Sequence, residues 1–67
     1  MTPKPRERNP LDGLRAVIVD EWALFRQGVA SVLAGLGVEV VGQSPNTADA
    51  LLRLWSTRPD VLVAGSP

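Results

Sequence analysis

The sequence predicts an α/β protein: three layers around a parallel sheet, built as β-α-β-α-β with strand order 2-1-3. Three observations predict it. Residues 14–19 are nearly continuously apolar, as in strands covered on both faces. Residues 38–43 and 61–64 repeat that strand character. Between these runs the apolar spacing switches twice to a period near 3.6, which is helical. Strands alternating with helices imply a parallel sheet with right-handed crossovers. In the order 2-1-3 the first strand is central. Its C-terminal end then lies at the switch point, where such sheets bind ligands.

Each element has its own signals. The turn Leu11-Asp12-Gly13 precedes the first strand. Periodicity alone would admit a helix at 14–19, but Val17, Ile18 and Val19 and the short length favour a strand. Over residues 23–36, Phe25, Val29, Val32, Leu33 and Leu36 form one apolar stripe. Gly35 and Gly37 stand where a helix C-terminus takes a positive φ. Gly28, inside the helix, is expected to allow close packing on the sheet. The second strand carries Val38, Val40 and Val41 around Glu39, and Ser44-Pro45 ends it. Asn46 is an N-cap, with Asp49 in the first turn. Ala48, Leu51, Leu52 and Trp55 are spaced as the buried face of the second helix, which Pro59 stops. Val61–Ala64 is the third strand.

Composition narrows the chemistry. At 67 residues the chain is one small unit of marginal stability. It has no Cys, hence no disulfide or thiolate metal site, and no His, the commonest general base and imidazole ligand. Seven basic and seven acidic residues cancel, so net charge points to neither nucleic acid nor membrane. No apolar run approaches the ~20 residues of a spanning helix, and no secretory leader is evident. A cytoplasmic protein is expected. Residues 1–13 read as a flexible basic, Pro-rich arm, with Lys4, Arg6 and Arg8 solubilising it rather than contacting nucleic acid. Gly35-Leu36-Gly37 follows a helix, the reverse of a phosphate-loop context.

The chemistry-bearing feature is Asp20-Glu21 at the end of the first strand. Carboxylates at a strand-to-helix junction also favour the helix N-terminus electrostatically, and that structural role competes with a metal site. From Ile18 to Gly28 the sequence reads Ile-Val-Asp-Glu-Trp-Ala-Leu-Phe-Arg-Gln-Gly. It resembles the opening of a bacterial response-regulator receiver domain, nearest the subfamily with a LuxR-type helix-turn-helix. Val38-Glu39-Val40-Val41-Gly42 and Arg58-Pro59-Asp60-Val61-Leu62-Val63 match its second and third strands. The resemblance covers residues 14–67 and implies the N-terminal half of a receiver-like domain, a truncated flavodoxin-like fold. It also implies two-component phosphorelay signalling and a histidine kinase partner. In that family the acid pair holds Mg²⁺ and an Asp ending the third strand accepts a phosphoryl group. Mg²⁺ suits such a site because it takes one or two carboxylates with phosphate oxygens and waters.

Departures from the family pattern change the expectation. Glycine stands at 65, where the resemblance places the acceptor Asp, and it has no nucleophile. Ser66 follows, but its side chain projects in a different direction at the strand end, so it is not read as an acceptor. Glu21 is one methylene longer than Asp, and Trp22-Ala23 replace the usual His-Pro; Trp22 is expected to cover the top of the sheet. The later strands of a receiver and its helix-turn-helix do not follow, so the third strand is expected as an open edge.

The expectation is therefore a phosphorylation-incompetent, receiver-like fragment of a response regulator, from a transcriptional regulator whose DNA-binding domain is absent from this chain. It is not an enzyme, has no phosphoacceptor and requires no cofactor. Asp20 and Glu21 form a vestigial metal site, with Mg²⁺ weak at best. A protein partner or self-association is expected, with no direct DNA binding and no membrane. The alternative is a stand-alone α/β interaction module assembling through its open sheet edge.

Overall fold

The computed structural model describes residues 10–65. The first nine residues of the expected arm, and Ser66, lie outside them; residues 10–13 form a turn. The element order is β1 (Arg15–Val19), α1 (Ala23–Gly35), β2 (Glu39–Ser44), α2 (Thr47–Thr57) and β3 (Val61–Ala64). Both pairings of β1 are parallel and the sheet order is β2-β1-β3, as the sequence predicts. The crossovers run in opposite directions across the sheet, which places the helices on opposite faces. Both helices pack on β1 and β2, and they make no contact with each other.

The core is β1. Ala16, Val17 and Ile18 are fully buried, because strands flank both edges and helices cover both faces. β3 falls where expected, at Val61–Ala64, while β1 starts one residue later, at Arg15, and β2 is shifted by one, to Glu39–Ser44. Pairing slips between Ala16↔Val40 and Val17↔Gly42, so Val41 is the extra residue of a bulge. Gly37, at φ 88, closes the α1–β2 turn, and a Cβ there would strike the Asp12 side chain. Gly28 differs from expectation. It is exposed, and a Cβ there would meet nothing, so close packing is not its role.

The larger corrections concern helix rotation. In α1 the residues turned to the sheet are Arg26, Val29, Ala30 and Leu33, whereas Phe25, Val32 and Leu36 of the expected stripe are exposed. At about 100° per residue the two rows differ by roughly 65°. In α2 the expected face of Ala48, Leu51, Leu52 and Trp55 looks outward, with Leu52 70% and Trp55 77% exposed. Ala50, Leu54 and Thr57 face the sheet instead, roughly 140° away around the helix. A polar anchor sets that rotation. The fully buried Ser44 hydroxyl lies 2.8 Å from Asp49 Oδ2 and 2.7 Å from the Asn46 carbonyl oxygen, sharing one proton between them. Arg53 Nε also donates to Asp49 Oδ2, at 2.8 Å. Binding Asp49 to the end of β2 leaves the Leu51–Trp55 side no sheet to cover.

The ends of α2 are held as follows. Asn46 Oδ1 accepts from the Asp49 amide at 2.8 Å, the expected N-cap. At the other end Arg58 adopts the left-handed conformation (φ 47) and Pro59 follows. From the start of β1, Arg15 Nη1 donates to the carbonyls of Thr57 (2.7 Å) and Arg58 (3.1 Å). A cation thus meets the unpaired carbonyls at the negative helix end. Arg15 and Asp60 complete the clamp: the Arg15 amide donates to Asp60 Oδ2 at 2.9 Å, and the Asp60 amide to the Arg15 carbonyl at 2.8 Å.

Candidate functional site

The three strands, being parallel, deliver their C-terminal ends to one edge. A cleft of about 380 Å³ opens there, lined by Asp20 and Glu21 after β1, Asn46 and Thr47 at the start of α2, and Ala64 and Gly65 at the end of β3. The sequence-predicted site residues Asp20, Glu21 and Gly65 therefore do converge. This is the edge that open α/β sheets use for ligands.

Asp20 is the most constrained of them. It is 8% exposed. Its amide donates to the Ser44 carbonyl at 3.0 Å, continuing the β1–β2 ladder past Val19. Its carbonyl accepts from Arg26 Nη1 one turn into α1. Its side chain turns back on its own loop, where Oδ1 accepts from the Trp22 amide at 2.8 Å. Asp commonly ties a turn with such a bond two residues on. The same residue that opens the cleft thus also shapes the entry to α1.

Glu21 differs: it is exposed. Gly65 is held by its amide, which donates to the Val19 carbonyl at 2.8 Å. A Cβ on Gly65 would overlap Asp20 Oδ2 and crowd its Cγ. Trp22 does not do what was expected of it. It is the N-cap residue of α1, is 67% exposed and does not line the cleft.

Among the described residues no group of three or more Asp, Glu, His or Cys could hold a metal ion. Asp20 and Glu21 meet the minimum of one or two carboxylates that Mg²⁺ accepts with waters. Against that, Asp20 Oδ1 already serves the Trp22 amide.

Three contributors were not singled out from sequence. Thr47 lines the cleft because α2 begins where β2 ends, which the strand-end rule could have flagged. Ser44, in an ordinary strand-end position, is wholly buried and anchors Asp49. Arg26 braces the Asp20 carbonyl, while its Nε is buried without a hydrogen-bond partner. The Asp49 carboxyl is held below its ordinary value, chiefly by the Arg53 hydrogen bond and then by Ser44.

No helix among the described residues is long and apolar enough to cross a membrane. No family model matches the chain. It is similar to two curated proteins, each called protein-glutamate methylesterase/protein-glutamine glutaminase. With the one from Archaeoglobus fulgidus it shares 35% identity over 49 residues, 73% of this chain. With the one from Haloarcula marismortui it shares 33% over 51 residues, 76% of this chain. The chain spans 14% of the length of each relative. The β2-β1-β3 order, the acid pair ending the central strand and these partial similarities together support a receiver-like domain of a two-component signalling protein.

Proposed function

We propose that this chain is a phosphorylation-incompetent, receiver-like part of a response regulator, signalling through protein contact rather than phosphoryl transfer. The observation that carries the reading is Gly65. It ends β3 beside Asp20, where the resemblance places the acceptor carboxylate, and it offers no nucleophile. In this reading the chain is not an enzyme and requires no cofactor. Asp20 and Glu21 would hold Mg²⁺ weakly, a cation whose charge would attract phosphate oxygens to the cleft. A histidine kinase is a partner by resemblance alone. A link to transcriptional regulation is likewise a matter of resemblance. The Leu24-Phe25-Arg26 motif supports that subfamily. The cytoplasm is the compartment this reading requires.

The test is incubation with acetyl phosphate and Mg²⁺, followed by intact mass. No phosphate-sized increase is expected. An increase that survives Ser66→Ala and disappears in Asp20→Asn would refute the acceptor assignment.

A second reading, an interaction module assembling through its sheet edge, is favoured by β3. Among the described residues no helix packs on that strand, and Val61 and Leu62 are exposed. Sedimentation of the purified chain decides this point, since a stable folded monomer would remove the need for a partner.

A further inference from the structure

Gly65 has two consequences, and the missing nucleophile is only the first. Its φ is not positive, unlike those of Gly13 and Gly37, so the backbone at 65 would accept any L-residue. What excludes a side chain there is Asp20. A Cβ at 65 would overlap Oδ2 and sit too close to Cγ and Cβ of the same carboxylate. Rotating the carboxyl group alone clears Oδ2 but not Cγ, so the whole side chain must swing about its first torsion. That swing breaks the 2.8 Å bond from the Trp22 amide to Oδ1.

We propose that a side chain at 65 and the inward-turned Asp20 carboxylate exclude each other, so that the empty position at Gly65 lets Asp20 tie the β1–α1 turn. The inference rests on the receiver-like reading only for its functional meaning; the steric argument stands on this chain's own residues. Its meaning is a second role. Asp20, placed by the resemblance as a ligand, also works as a structural anchor through Oδ1. Restoring an acidic side chain at 65 would then displace Asp20 rather than complete a three-carboxylate site.

The test is a double-mutant cycle on the full chain with Gly65→Ala and Asp20→Ala, read by urea midpoint and by hydrogen exchange at the Trp22 amide. Gly65→Ala should lower the folding equilibrium constant about tenfold, the size expected for losing one buried hydrogen bond. It should also raise Trp22 amide exchange. In the Asp20→Ala background the same substitution should change the constant by less than about twofold, since distant or uncoupled changes add and coupled ones do not. If Gly65→Ala does not fold, a folded double variant carries the same conclusion. The pair is overturned by equal cost of Gly65→Ala in both backgrounds, by no cost in the parent, or by unfolding in both. None of these outcomes bears on phosphate uptake, so this inference and the proposed function fail separately.

Discussion

The two strands flanking β1 make opposite use of their sequences. β3 reads Val-Leu-Val-Ala and is apolar throughout, yet Val61 is 39% and Leu62 49% exposed. β2 carries Glu39, Gln43 and Ser44 and is the more polar, yet both helices pack on it, and Ser44 is fully buried. The difference teaches that apolar content tells which surfaces need cover, while topology tells which receive it. A β-α-β-α-β chain in this order sets both helices over β1 and β2. Nothing among the described residues is placed over β3. Stability should accordingly reside on the β2 side and association on the β3 side.

The largest expected effect calibrates that comparison. Ile18→Ala in the shared central strand should lower stability by about 2–5 kcal/mol, enough to unfold a chain this small, as seen by loss of a cooperative urea transition. Arg15→Ala should cost about 2 kcal/mol by freeing the carbonyls of Thr57 and Arg58, read from the urea midpoint. A cost near zero would show that the α2 C-terminus needs no clamp. Asn46→Ala should cost about 1 kcal/mol, the usual size of a lost N-cap.

Acid provides a further probe of the β2 side. Asp49 has a folded pKa below its ordinary 3.8. The stability it contributes is fully present above that unfolded value and fades as pH falls through the lower folded one. The urea midpoint between pH 5 and 2 should therefore fall less steeply in Asp49→Asn than in the parent. The smallest stability effect belongs to the uncovered surface. Trp55→Ser should alter stability by no more than about 0.5 kcal/mol, because the indole is exposed. A large loss of stability there would show that α2 is rotated as the apolar spacing alone suggests.

Much of this was legible in sequence. The five elements, their order, the strand arrangement and the convergence of Asp20, Glu21 and Gly65 all follow from local patterning and crossover rules. The facing of the helices was not. α2 has two candidate rows, and the more apolar one, Leu51, Leu52 and Trp55, is the one left outside. Polar contacts mark the sheet-facing side, chief among them that between the buried Ser44 and Asp49, which no periodicity announces. In α1 the sheet-facing row includes Arg26, a residue that hydropathy assigns to solvent. The Asp20–Gly65 exclusion was hidden for a similar reason: 45 positions separate the two, and only the register of β1 with β3 brings them together.

Because the central strand comes first in the chain, the order of synthesis matters. β1 is made before either neighbour, and its second edge is closed only when Ala64 arrives. At roughly 5–20 residues per second, that strand waits on the order of 2–9 s with an unpaired apolar edge. Its pairings and the Arg15–Asp60 clamp all span long stretches of chain, so few contacts reward the early steps. Folding should therefore be late and concerted. During that interval the Ala16-Val17-Ile18 segment, fully buried in the finished sheet, lacks the neighbour that closes its second edge.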